Sequence, residues 1–143
     1  MAARKRGNRP FGAVIAEAGG EVLAEAEADS STTGDCTGHA ETNALRLLAG
    51  RGIPRERMAG STMYASGEPC VMCAGAIFWS NIRRVVYGVD HATLRSFRGT
   101  RDDQMELSLT CRDIFRASPH PIEVIGPHLE DEARKPHEGF WKT

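Results

Sequence analysis

Two short polar clusters, Gly38-His39-Ala40-Glu41 and Glu68-Pro69-Cys70-Val71-Met72-Cys73, each open an apolar segment of helical period. They constrain the fold more than any other feature. Ala40, Ala44, Leu45, Leu47 and Leu48 recur at helical spacing after the first cluster, and Gly50, Gly52 and Pro54 stop the run, which predicts a helix over 39–50. Pro69 suits a helix entrance and predicts a second helix over 70–80. Cys70 and Cys73 stand three apart and so share one helical face, where the positive end of the helix dipole favours their thiolates. Two such sulfurs can bind one metal, and His39 can complete the set. One imidazole with two thiolates is a borderline-soft donor set that suits zinc and leaves the fourth position open.

Around these helices the chain reads as alternating elements. Pro10 to Glu17, Gly19-Gly20 and Glu21 to Ala24 form a hairpin signal. Ser61–Ser66, Arg83–Val89 and Ile122–Ile125 read as three further strands, and 29–38 as a loop of the kind that lines sites. Helix is favoured for Gln104–Arg116 and for a C-terminal stretch, Leu129–Trp141, that Pro136 interrupts. Five strands with a hairpin first and helices between the later ones predict an α/β fold. The expected architecture is a three-layer α/β/α sandwich around a mixed five-stranded sheet. With 143 residues and even composition, the expectation is one domain over 1–143.

Charge narrows the function classes. Eighteen basic and nineteen acidic residues give a net charge of −1, so no global field steers the chain onto nucleic acid or an anionic membrane. Arg4, Lys5, Arg6 and Arg9 crowd the N-terminus, which reads as a solvated end. No apolar run approaches the ~18 residues of a membrane span and no signal-peptide core precedes Pro10, so the expected location is cytoplasmic, where thiols serve more as ligands than as disulfides.

Glu41 lifts the cluster above a metal staple. It follows His39 by two residues and has no room to be a ligand, yet a carboxylate beside a metal's open position can take a proton from water and hand it to a leaving nitrogen. A purely structural zinc site would need a fourth protein ligand from Cys36, Cys111, His91, His120, His128 or His137. A Cys-x-x-Cys redox motif would not require the distant His-x-Glu.

His39-Ala40-Glu41 followed by Pro69-Cys70-Val71-Met72-Cys73 resembles the zinc-dependent cytidine and nucleobase deaminase superfamily. Pro10 to Val14, Gly75 to Trp79 and Arg84 to Gly88 make the chain most similar to bacterial guanine deaminases within it. The resemblance implies a cytidine deaminase-like sheet, one zinc per chain on His39, Cys70 and Cys73, Glu41 as proton shuttle, and a homodimer. It also implies substrate contacts from the rings of Phe11 and Trp79 and from the backbone amides of Ala40 and Cys70. The expected reaction is hydrolytic removal of an exocyclic amine from a free heterocycle, guanine or an aminotriazine, with ammonia released. Adenosine in tRNA is the alternative substrate, as is a nucleoside or cytosine.

The chain departs from that pattern at three positions. Ala28 stands where relatives carry a base-reading asparagine, with Asp29, Thr32 or Thr33 as candidate replacements. Gly67 stands where a larger residue is usual, and Cys36 where proline is common. Asp102, Asp103 and Glu138 are further candidates for base contacts. Two aromatics, Phe140 and Trp141, should pack on a core, a partner or a pocket mouth.

Overall fold

The computed structural model describes residues 1–99 and 107–141. A one-turn helix, α1 (Ala2–Lys5), leads into the hairpin β1 (Gly12–Glu17) and β2 (Val22–Glu27). The short α2 (Ser30–Thr33) follows, then α3 (Ala40–Gly50), α4 (Arg55–Ala59), β3 (Ser61–Gly67) and α5 (Val71–Ser80). The chain continues through β4 (Arg84–Val89), α6 (His91–Arg98), α7 (Cys111–Arg116), β5 (Glu123–Ile125) and α8 (Glu130–Arg134), with a 3₁₀ turn at Lys135–His137.

The five strands make one sheet in the order β2-β1-β3-β4-β5. β1 is antiparallel to both β2 and β3, while β3–β4 and β4–β5 are parallel, so the sheet is mixed as expected. Alternation along the strands sets the two faces. Ile15, Met63 and Val85 point to one face and are fully buried against Ala44, Leu48 and Ile77 of α3 and α5. Tyr64, one residue out of phase, points to the other face and stays exposed.

That second face has a thin cover. α8 crosses β4 so closely that a Cβ at Gly88 would meet the Ala133 Cβ at 2.5 Å, which is why glycine stands there. Arg4 of α1 donates to the carbonyls of Pro136 and Glu138, both at 2.8 Å, and its guanidinium lies over the Phe140 ring. Arg6 pairs with Glu27. Lys5, Arg6 and Arg9 of the N-terminal basic run are exposed, as expected of a solvated end, yet Arg4 and Arg6 also tie the chain's start to its C-terminal segment and to β2.

Three expected boundaries shift. The predicted helix over 104–116 is a helix only from Cys111, where Thr110 and Asp113 cap each other at 2.9 and 3.2 Å; Leu107–Thr110 is irregular, and 104–106 lie outside the described residues. Pro136 ends α8 by admitting only a 3₁₀ turn. α6 was not anticipated, although its cap is written in the sequence: the Asp90 side chain accepts from the Thr93 amide at 2.7 Å. No helix among the described residues is long and apolar enough to cross a membrane.

The aromatics at the C-terminus close on the first strand. His137 is 1% exposed, with its ring 5.0 Å from Phe11 and stacked on Phe97 and Trp141. Its Nδ1 accepts from the Trp141 indole at 3.2 Å, and its Nε2 is buried without a partner. Burial, with Arg98, the N-terminal amine and Arg4 adding repulsion, holds the imidazole at about 4, below its ordinary 6.5. The folded chain thus refuses a proton that the unfolded chain accepts. Stability is fully present above pH 6.5 and falls as pH drops from 6.5 toward 4, by about 3 kcal/mol from this group. His137→Phe should remove that part of the acid loss when urea unfolding is compared at pH 7 and pH 4.5.

Candidate active site

His39 and Cys70 occupy equivalent places, each the extended residue immediately before a helix, α3 and α5 respectively. Thr42 fixes the first entrance: its hydroxyl accepts from the His39 amide at 3.2 Å and donates to the His39 carbonyl at 3.0 Å. In such first turns the amides of Ala40 and its neighbours have no partner within the helix and face outward. Both entrances converge at the carboxyl end of β3, the end at which open α/β sheets build their sites.

The donor atoms form a tight triangle. His39 Nδ1 lies 3.6 Å from the Cys70 Sγ and 3.5 Å from the Cys73 Sγ, and all three donor atoms lie within 4.8 Å of one another. Tetrahedral zinc with Zn–N near 2.0 Å and Zn–S near 2.3 Å requires an N···S edge of about 3.6 Å. The residues fit zinc. Among the described residues no fourth histidine, cysteine or carboxylate joins this group, so a fourth position is left for a substrate or water. Cys111, one of the candidates for a fourth ligand, is instead buried beside Glu68, its Sγ 3.6 Å from a carboxylate oxygen.

Electrostatics in the triangle follow from proximity. A hydrogen bond from Cys73, helped by His39, holds the Cys70 thiol down to about 4 against burial. Cys73 is pushed up because its proton is committed to Cys70 and its sulfur is buried beside Glu41. His39 is raised, chiefly by its contact with Cys70. Glu41, on the first turn of α3 and 7% exposed, has Oε2 3.5 Å from the Cys73 Sγ. Burial pushes its carboxyl up, and the negative charge of Cys70 adds to the effect.

A cavity of about 80 Å³ opens on this group. His39, Ala40, Glu41 and Cys70 form its inner end, and Phe11, Ala28 and Leu94 its apolar wall. Ala28 is 3% exposed and is tied by its amide to the Phe11 carbonyl at 3.1 Å. None of the suggested substitutes for an asparagine at this position faces the cavity. Asp29 accepts from the Asn43 amide at 2.9 Å, and Thr32 is bonded to Asn8. Ser30 lines the cavity instead, with Arg9, His91 and Arg98, none of which was singled out as a substrate contact. Gly67 also finds its reason here. A Cβ at that position would meet the Phe11 ring at 2.8 Å and Leu94 at 3.2 Å, so its absence lets both close the wall.

Trp79 lies apart from this cavity in the single chain, where it is 74% exposed. Nine residues after Cys70, at 100° per residue, it stands half a turn away from that cysteine, whereas Ile77 falls on the cysteine face and is fully buried. Glu138 is likewise exposed and outside the cavity; its carbonyl serves Arg4. Phe11 lines the cavity. Asp102 and Asp103 lie outside the described residues.

The known proteins that this chain resembles agree with the geometry. The probable cytosine deaminase of Schizosaccharomyces pombe is 42% identical over 139 residues, covering 97% of this chain and 83% of the relative. The guanine deaminase of Bacillus subtilis is 39% identical over 82 residues, 57% of this chain and 51% of that protein. A solved structure from work on A-to-I editing by tRNA:A34 deaminases superposes with a TM-score of 0.71 at 28% identity, covering 94% of this chain and 90% of the other. The model of the cytidine and deoxycytidylate deaminase zinc-binding region matches residues 1–89, which contain His39, Glu41, Cys70 and Cys73. This chain therefore belongs to the cytidine and deoxycytidylate deaminase family, zinc-binding enzymes that hydrolyse carbon–nitrogen bonds.

Proposed function

We propose that the substrate is a free, single-ring heterocyclic amine, cytosine or an aminotriazine of similar size, and that the products are the ring carbonyl and ammonia. The S. pombe relative, a probable cytosine deaminase aligned over 97% of this chain, carries this reading over the bicyclic guanine also expected from sequence. The cavity, at about 80 Å³, is far below the ~300–1,000 Å³ of pockets for drug-sized ligands, which favours a free base over a nucleoside. A net charge of −1 disfavours tRNA, because binding to a polyanion draws on a basic surface.

Bound zinc, on His39, Cys70 and Cys73, supplies a Lewis acid that makes water acidic near neutral pH. The chain's own groups do the rest. Phe11, Ala28 and Leu94 exclude solvent and hold the ring by its faces and edge. The Ala40 and Cys70 amides, at the two helix entrances, are donors for oxygens on the ring and on the attacking water. Glu41 takes a proton at its carboxylate and returns it to the departing nitrogen, and its burial suits it to hold that proton between the two transfers.

A homodimer is the assembly this reading favours. α5 carries Met72 and Trp79 on its outer surface, both exposed in the single chain, and Phe78 packs edge-on against Trp79. Sedimentation of the purified chain at the mass of two copies is the expected result.

The test is a comparison of kcat/KM by ammonia release for cytosine, ammeline, guanine, 8-azaguanine, the corresponding nucleosides and tRNA. A single-ring free base should lead. Its rate should change less than about twofold between low and high salt, against the orders of magnitude expected of polyanion binding. Preference for guanine would overturn the single-ring reading, and steeply salt-dependent turnover of tRNA would overturn the free-base reading.

A further inference from the structure

The cavity's lining carries charges of both signs. Its two carboxylates are buried and committed: Glu41 lies against Cys73, while Glu68 accepts from the His91 amide at 2.9 Å and from the Cys111 amide at 3.3 Å. The same lining includes two guanidinium groups, the half-buried Arg98 and the exposed Arg9. Arg98 lies over the Trp141 ring at 5.7 Å, and its Nε donates to the Leu94 carbonyl at 3.4 Å. Arg9 differs. It has no side-chain hydrogen bond or ion pair among the described residues, and it lines the same cavity as His39. Arg9 is exposed where it lines the cavity, so its five donors, held in a fixed fork, are available to a carboxylate that enters.

Ala28 and Arg9 line the same cavity. Arg9 precedes Pro10 and Phe11, and Phe11 is bonded through its carbonyl to the Ala28 amide, so the two come from adjacent segments of backbone. An amide side chain at position 28 would fill the cavity wall and read a neutral ring edge. The methyl reads nothing and leaves room for a substituent.

We propose that Arg9 is a specificity-determining residue that binds an anionic substituent carried directly on the ring, a carboxylate, at the edge remote from the reacting amine. The inference rests on the single-ring reading and narrows it to aminated heterocyclic acids. A sugar phosphate is the less suitable anion. Arg9 lines the same small cavity as the wall that holds the ring, within reach of a substituent on the ring itself. A carboxylate held by Arg9 leaves the amine of such a substrate to face His39 and Glu41, which line the same cavity.

The experiment uses the zinc-loaded protein and four compounds: cytosine 5-carboxylate and cytosine 6-carboxylate, each against its carboxamide. For at least one pair, kcat/KM should favour the carboxylate by about tenfold or more, mainly through KM, as expected for a charge-assisted bidentate contact. In Arg9→Gln that ratio should fall to about one, and Arg9→Lys should restore part of it. A ratio at or below one for both pairs in the wild type, or a ratio unchanged in Arg9→Gln, overturns the proposal. So does faster turnover of cytidine 5′-monophosphate than of either carboxylate. Cytosine in the same assay reports on the single-ring reading itself. Should every ring compound resist turnover, calorimetric dissociation constants for the same pairs decide the role of Arg9 by the same ratio.

Discussion

Glu41→Gln should lower kcat by about 10³-fold or more while leaving zinc at one per chain. The substitution keeps the shape of a side chain that is almost wholly buried beside Cys73 and removes only its capacity to accept and return a proton. General acid–base catalysis by one group contributes about 10²–10⁴-fold, and here a single carboxyl serves two transfers. Metal analysis and steady-state ammonia release on the same preparation check it. Activity within tenfold of wild type in a fully metallated variant would remove Glu41 from the chemistry.

Cys73→Ala should abolish both zinc binding and turnover, and should lower stability more than any surface change. The Cys73 sulfur is fully buried and lies at zinc-like distance from His39 Nδ1, so its loss leaves two donors and a void. A ligand present at 1,000 times its dissociation constant stabilises the fold by about 4 kcal/mol, which for a domain near this size is roughly 10 °C in Tm. Chelation of the wild-type protein should reproduce most of that shift, and added zinc should reverse it. A Tm indifferent to chelator would show that the His39-Cys70-Cys73 group does not hold the metal.

The parts of this molecule that were legible in its sequence are those set by local rules. The helix entrances at His39 and Cys70, the hairpin, and the alternation that buries Ile15, Met63 and Val85 all follow from spacing and turn chemistry, and the sheet assembled as expected. The position of Trp79 outside the cavity was legible too, since helix period sets it opposite Cys70. Arg9 and Ser30 were not recoverable in the same way. Their position at the cavity depends on how the lead into β1 and the turn after β2 meet above α3, a contact between segments far apart in sequence. Ala28 marked a wall of the cavity, but its surroundings are visible only once Asp29 is seen to turn away to Asn43 and Arg9 to line the cavity with no side-chain partner among the described residues.

The measurement that bears most directly on this account is product analysis of cytosine incubated with the zinc-loaded protein. Uracil and ammonia should form in equal amounts over many turnovers, with both reduced about 10³-fold or more in Glu41→Gln under the same conditions. Zinc bound at one per chain with no ammonia from any single-ring amine would contradict it.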